Sequence, residues 1–305
     1  MNQLISQDEN VFSPELEKEG VLLSVRRFDQ LHPEAGGNKL FKLRYWIDPL
    51  KEGSTILSFG GAYSNHLLAL AAIGRERGFH SIGIVRGERP AEGNNWLKRM
   101  EELGMRLEFI SREHYKQKEI HWFLEELNTR FHPDVIVPEG GAGLKGVKGA
   151  KEMVQATEPF DWVVLPGATG TTVAGIAQQL SSSTCKILCV QVLKGKNLIQ
   201  NELLRTTGIA LEQFGNVLIR DDFHDGGYAK YSSELRKFHN HFCEQTGILL
   251  DRVYGIKAMN ALFTLAKQGF FKKGARVLYL HTGGNGPLPI ESNQTPFGYI
   301  ANTPQ

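Results

Sequence analysis

Thr55-Ile56-Leu57-Ser58-Phe59-Gly60-Gly61-Ala62-Tyr63-Ser64-Asn65-His66-Leu67-Leu68-Ala69-Leu70-Ala71-Ala72-Ile73-Gly74 is a stretch of 20 residues without Asp, Glu, Lys or Arg. Its 20 residues match the length of a membrane-spanning helix. Ser58, the Gly60-Gly61 pair, Ser64, Asn65 and His66 interrupt it, however. A buried strand over 55–59, a glycine turn and a helix over 67–77 that stops at Gly78 account for it better.

The same order of short apolar run, glycine turn and helical pattern recurs outward from this stretch. Strands are expected over 81–85, 106–110, 135–137, 162–165, 186–192 and 276–280. Helices are expected over 96–103, 119–128, 147–156, 172–180, 233–246 and 257–268. Apolar runs of about four to six residues alternating with helices indicate an α/β protein with mostly parallel sheets covered by helices. Loops at the carboxyl ends of such strands carry function. That rule selects the turns 60–66, 140–146, 167–172 and 281–287.

Composition narrows the classes. The 305 residues suggest two domains or one large one. Hydrophobic residues at 41% and charged residues at 22% are ordinary globular usage and exclude disorder across the whole chain. With 35 Lys plus Arg against 33 Asp plus Glu the net charge is +2, which argues against a dedicated nucleic-acid binder. Cys185, Cys189 and Cys243 are too few for a disulfide scaffold and fit a reducing compartment. Cys185 and Cys189 read as core residues, and no His pairs with them at a metal-like spacing. Residues 1–10 carry Asp8 and Glu9 and lack the order of a secretory signal, so a cytoplasmic protein without membrane attachment is expected.

Gly141-Ala142-Gly143-Leu144-Lys145-Gly146 matches G-x-G-x-x-G. The next strand, however, ends in Pro166-Gly167 without the acid that a dinucleotide site needs. A nicotinamide oxidoreductase is thereby the weaker reading, and a glycine-rich connection the plainer one. Gly167-Ala168-Thr169-Gly170-Thr171-Thr172 follows a strand and opens a helix, where free backbone N–H groups and hydroxyls form an anion site. With no Lys in the loop, backbone and dipole would hold a cofactor phosphate. Gly36-Gly37-Asn38-Lys39 places Lys39 at a helix start, where an ammonium opposes the macrodipole. Lys42 and Arg44 read as ordinary members of a basic helix. Ser64 reads as an N-cap, or as the hydroxyl that, with free helix N–H groups, meets a substrate carboxylate. Thr282, in His281-Thr282-Gly283-Gly284, either closes a turn or reaches a ring nitrogen.

Taken in order, Gly36-Gly37-Asn38-Lys39, Ser64-Asn65-His66, Thr169-Gly170-Thr171-Thr172-Val173-Ala174-Gly175, Leu250-Asp251-Arg252-Val253-Tyr254-Gly255-Ile256-Lys257-Ala258-Met259 and His281-Thr282-Gly283-Gly284 resemble the 1-aminocyclopropane-1-carboxylate deaminase and D-cysteine desulfhydrase family. The resemblance implies a tryptophan-synthase-β-like fold with pyridoxal 5'-phosphate as cofactor and no metal. It implies a larger cofactor-binding domain over 1–47 and 149–305, with a smaller domain, 48–148, inserted into it, and a homodimer. By match, Lys39 would carry the cofactor, Asn65 would contact its 3-hydroxyl, and Ala168, Thr169, Gly170, Thr171 and Thr172 would hold its phosphate. Thr282 would lie near its pyridine nitrogen. Ser64, Tyr254 and Tyr279 would join Lys39 in catalysis, and Ser64, Asn65 and His66 would bind the substrate.

The deaminase proper carries Gln where this chain has His66, and an acidic residue near the pyridine nitrogen. His66 and Thr282 resemble the desulfhydrase branch. Asn285-Gly286-Pro287-Leu288 departs from the Pro-Ala-Leu run that is more frequent in the family. The expected reaction is β-elimination from a small amino acid such as D-cysteine, giving pyruvate, ammonia and sulfide. The alternatives are a deaminase giving 2-oxobutanoate and ammonia, and a protein that binds the cofactor without turnover.

Overall fold

The computed structural model describes residues 6–91, 93–155, 160–284 and 286. The described residues fall into two compact units. One spans 6–31, Gly36–Pro49 and the described part of Gly140–Gly284; the other spans His32–Ala35 and the described part of Leu50–Glu139, with Gly286.

In the first unit, β1 (Asp8–Val11), β2 (Val21–Arg26), β7 (Trp162–Gly167), β8 (Lys186–Gln191), β9 (Val217–Arg220) and β10 (Ala275–Leu280) form one sheet in the order β1-β2-β10-β7-β8-β9. Only β1 is antiparallel to its neighbour. The helices are α1 (Pro14–Lys18), α2 (Asn38–Ile47), α7 (Leu144–Lys151), α8 (Thr171–Gln179), α9 (Leu198–Thr207), α10 (Ser233–Thr246) and α11 (Gly255–Lys267). A core of Val25, Val164, Leu188, Ile256, Met259, Leu262 and Val277 joins the sheet to α11. Burial of such side chains stabilises by roughly 1.5–3 kcal/mol each.

In the second unit, β3 (Thr55–Gly60), β4 (His80–Arg86), β5 (Arg106–Ile110) and β6 (Val135–Val137) form a parallel sheet in the order β5-β4-β3-β6. Its helices are α3 (Asn65–Glu76), α4 (Asn95–Glu102), α5 (Arg112–Tyr115) and α6 (His121–Phe131). Leu57, Phe59, Ile82, Ile84, Phe123 and Leu127 pack between the sheet and α6. Among the described residues no helix is long and apolar enough to cross a membrane.

The α/β class and every strand expected from the sequence are present. Strands β1, β2 and β9 were not expected. β9 and β1 are short edge strands, β1 running antiparallel to β2 with α1 between them in the chain. Ala156 at the end of the helix expected over 147–156, Pro287 of the fourth turn, and Asn285 and Leu288 lie outside the described residues, as do 287–305 of the expected larger domain.

Residues 140–148, counted in the inserted domain by sequence, lie in the first unit. Three glycines explain this. A Cβ on Gly149 would stand 1.8 Å from the carbonyl oxygen of Phe41 in α2, and one on Gly175 would stand 2.5 Å from that of Val147 in α7. A Cβ on Gly146 would meet the carbonyl oxygen of Gly141 at 1.9 Å. Within the G-x-G-x-x-G run itself, a Cβ on Gly141 would stand 3.1 Å from Lys42 Cβ in α2 and one on Gly146 3.1 Å from Thr171 Cγ2 in α8, so the run is a packing device that seats the start of α7 against α2 and α8.

Candidate active site

The first unit brings the start of α2 to the loop between β7 and α8. Gly170 makes that loop possible: its φ is +68°, and a Cβ there would stand 3.0 Å from Glu202 Cβ. The backbone N–H of Thr171 donates to Thr169 O at 2.7 Å, and Ala168 and Thr169 remain half-buried at the mouth of the turn. Asn38 Nδ2 donates to Thr172 Oγ1 at 3.1 Å. One turn further along α2, Lys42 Nζ donates to Thr169 Oγ1 at 3.3 Å. Lys39 lies between these two contacts in sequence and is half-buried.

Lys42 corrects the sequence reading. It is no ordinary member of a basic helix, because it is completely buried. Burial, with the positive charge of Lys39 adding to it, pushes its pKa well below the ordinary value. No carboxylate pairs with it among the described residues. A buried lysine amine without a carboxylate partner, facing the N-terminus of a helix, is a site whose protonation an anion would favour. These residues fit a cofactor phosphate. Sequence placed no lysine in the loop; the fold delivers one from α2.

At the end of β10 the backbone closes on the start of α2. Asn38 N donates to Thr282 O at 3.1 Å, and Gly37 pairs with Gly283. A Cβ on Gly37 would lie 2.2 Å from Thr282 O, so this approach requires glycine. His281 is buried; its Nε2 donates to Leu249 O at 2.6 Å and its Nδ1 accepts the Gly283 N–H at 3.3 Å. Thr282 is half-buried in this turn.

Sequence reasoning gave Asp251 no role. It is buried beside the turn, where a Cβ on Gly284 would meet its Oδ2 at 3.2 Å. Its Oδ1 accepts from Val253 N at 2.9 Å and Tyr254 N at 2.7 Å, and its Oδ2 accepts from Gly255 N at 2.7 Å. Burial raises its pKa, and the three N–H groups oppose that rise. This carboxylate caps α11 and thereby orients the half-buried Tyr254. Tyr279 lies fully inside the core, and its hydroxyl donates to Gly255 O at 2.7 Å. It has the geometry of a residue that supports the start of α11.

In the second unit, Ser64 caps α3, with Oγ accepting the Leu67 N–H at 3.2 Å. Gly60 leaves room for it: a Cβ there would stand 2.5 Å from Ser64 Oγ. Asn65 Oδ1 accepts from Trp96 Nε1 at 3.1 Å, which fixes the amide and directs its Nδ2 donors elsewhere. His66 departs from its expected role at the substrate. It is 3% exposed, and its Nε2 meets Ser58 Oγ at 2.8 Å. Ser58 gives its own proton to Val137 O, so His66 is the donor to Ser58. His66 braces α3 against β3 and β6 from beneath.

Cys185 and Cys189 are buried as expected, and burial pushes the Cys189 thiol up to about 12. No cluster of metal-ligating side chains exists among the described residues.

Residues 12–283 match the family model described as "Pyridoxal-phosphate dependent enzyme". A Pyrococcus horikoshii protein named "Putative 1-aminocyclopropane-1-carboxylate deaminase" is 27% identical, covering 90% of this chain and 88% of its own length. A Serratia proteamaculans D-cysteine desulfhydrase is 25% identical, covering 85% and 86%. The fold is shared with a crystal structure of an ACC deaminase homologue, at a TM-score of 0.76 and 23% identity over 93% of this chain and 91% of that one. With the match running from just after β1 to the glycine turn after β10, the chain belongs to the pyridoxal-phosphate-dependent enzymes and is similar within them to the 1-aminocyclopropane-1-carboxylate deaminases and D-cysteine desulfhydrases.

Proposed function

We propose that this enzyme eliminates a thiol from the β carbon of a small amino acid of the D-cysteine type, with water, to give pyruvate, ammonia and sulfide. The buried Lys42 ammonium at Thr169 carries the placement of the site. Lys42 and the loop of Ala168, Thr169, Gly170, Thr171 and Thr172 hold the cofactor phosphate. Lys39 carries the cofactor covalently, Asn65 meets its 3-hydroxyl, and Thr282 faces its pyridine nitrogen. Bound there, pyridoxal phosphate supplies an electron sink for the substrate's α carbon. The Lys39 amine or the Ser64 hydroxyl takes the α proton, with Tyr254 at the start of α11 as the further proton-bearing group. Ser64 and Asn65, at the N-terminus of α3, receive the substrate carboxylate.

The choice of substrate rests on the turn after β10. Thr282 is neutral, His281 is engaged by Leu249 O and Gly283 N, and Asp251 is engaged by three N–H groups. A neutral partner would leave the ring nitrogen largely unprotonated, whereas a carboxylate would favour the protonated, more electron-withdrawing ring. The unprotonated ring suffices when a thiolate departs from the β carbon, whereas cyclopropane opening has no such leaving group. A second reading, ring opening to 2-oxobutanoate and ammonia, gains support from the position of Asp251 beside Gly284.

Separate incubations with D-cysteine, L-cysteine and 1-aminocyclopropane-1-carboxylate, assayed for sulfide, pyruvate and 2-oxobutanoate, distinguish the readings. Sulfide and pyruvate from D-cysteine are expected. Release of 2-oxobutanoate with no sulfide from D-cysteine would replace the first reading by the second. Borohydride reduction and peptide mapping should place a pyridoxyl adduct on Lys39; an adduct on Lys42 would overturn the site.

A further inference from the structure

Lys257 is the second completely buried lysine of the first unit. It lies in α11, three residues after Tyr254. Its Nζ donates to two backbone carbonyls, His224 O at 2.8 Å and Gly227 O at 2.6 Å. Each of these carbonyls also accepts a backbone N–H: Gly227 N reaches His224 O at 3.0 Å, and Lys230 N reaches Gly227 O at 3.2 Å. Both lone pairs of each oxygen are thus engaged. No carboxylate pairs with Lys257 among the described residues, although Asp225 and Asp251 act on it at longer range.

The loop that this ammonium gathers is strained. Asp225, Gly226, Gly227 and Ala229 have φ values of 51°, 87°, 120° and 55°. A left-handed conformation costs a non-glycine residue roughly 1–2 kcal/mol, and Ala229 has no side-chain hydrogen bond to offset it. Such a backbone persists where its surroundings over-determine it. Two further bonds tighten the loop: Asp225 Oδ2 accepts from Ser232 N at 2.7 Å, and His224 Nδ1 accepts from Gly226 N at 3.0 Å. At its crest Tyr228 is half exposed, and its ring meets Tyr254 edge-on with centroids 6.4 Å apart.

We infer that Lys257 is a positioning residue: its ammonium is a tethered internal cation that clamps residues 224–230 by two carbonyls and sets Tyr228 beside Tyr254 as a wall of the amino-acid site. This rests on the placement of Tyr254 at the site, argued above. A neutral side chain of similar length leaves both carbonyls without their second donor and lets the loop relax. An exposed phenol that contacts the substrate equally in ground and transition states would act on KM and leave kcat unchanged.

The test uses the holoenzyme of wild type, Lys257→Met, Tyr228→Ala and the double variant. Titration with D-cysteine and with 1-aminocyclopropane-1-carboxylate is followed through the cofactor's visible absorbance, so that it reads binding without requiring turnover. Each single variant should weaken binding of the accepted amino acid about tenfold and keep its cofactor. The double variant should be no weaker than either single one, because Lys257 acts through Tyr228. Additive losses, or wild-type binding by Tyr228→Ala, would refute the clamp.

Chymotryptic cleavage after Tyr228 supplies a readout independent of the cofactor. It should be at least about tenfold faster in Lys257→Met and in Lys257→Ala, and propylammonium should slow it again in Lys257→Ala only. Equal cleavage in wild type and variants would refute the clamp as well. Loss of the Lys39 adduct in wild type would instead strike the site assignment and leave the cleavage test standing. Should Lys257→Met not fold, the binding of Tyr228→Ala and the protection of wild type at Tyr228 decide the matter.

Discussion

Lys42 Nζ and Thr169 Oγ1 meet at 3.3 Å across 127 residues of chain, the lysine completely buried and the threonine half-buried. The pairing places a cation from one helix at the N-terminal turn of another, and it gives the anion-binding loop the charge that its own sequence lacks.

Lys42→Met should weaken cofactor retention at least about tenfold while leaving the apoprotein as stable as wild type or more so. The folded-state pKa of Lys42 lies below its unfolded value of 10.5. Between the two, the unfolded chain binds more protons, so stability rises with pH there and the buried charge is a cost at neutral pH. Removing it relieves that cost, and the phosphate loses its partner. Apoprotein melting and a cofactor titration check both halves; wild-type affinity in the variant would remove Lys42 from the site.

Ser64→Ala separates a cap from a reacting group. The lost bond from Leu67 N costs about 1 kcal/mol of stability. Participation in proton transfer predicts a fall in turnover of roughly 10²–10⁴-fold beyond that. Turnover near wild type in a slightly less stable protein would leave Ser64 with the capping role alone.

Acid should unfold the first unit in part through His239. Its Nδ1 meets Tyr231 Oη at 2.7 Å, and burial, with Arg252 adding to it, lowers its pKa from 6.5 to about 4. Above pH 6.5 the ring is neutral in both states. As pH falls from 6.5 towards 4 the unfolded chain alone takes up the proton, and stability drops by roughly 3 kcal/mol. His239→Gln, which does not titrate, should show a shallower loss in urea unfolding between pH 7 and 4.5. Identical slopes would assign the acid sensitivity to other groups.

Gly149→Ala should cost about 3 kcal/mol or more, because its Cβ would meet backbone rather than a movable side chain. Displacing α2 also moves Asn38, Lys39 and Lys42 from the loop. Cofactor binding should therefore fall together with the melting temperature, a coupling that calorimetry with and without cofactor would detect.

Much of the architecture is legible without coordinates. The charge-free stretch at 55–74 reads as strand, turn and helix because burial on both sheet faces leaves no place for charge. The Gly-Thr loop at 167–172 reads as an anion site because a helix start exposes N–H groups whatever surrounds it. Strands β1 and β9 stand at the sheet edges and are four residues long each, too short for an apolar run to mark them.

The chain's local patterns by themselves determined the α/β class, the alternation of most of its parallel strands with helices and the position of the glycine-threonine turn at a helix start. These follow from interactions among residues a few positions apart, whose spacing is written along the chain. Tertiary structure alone decided that Lys42 enters that loop, that Asp251 caps the helix bearing Tyr254, that His66 turns inward to Ser58, and that G-x-G-x-x-G is a helix-packing surface. Each depends on which distant backbone comes within 3–4 Å and on how much water is excluded there. Both are properties of the packed chain, and neither appears in the residue type of a lysine, an aspartate or a glycine.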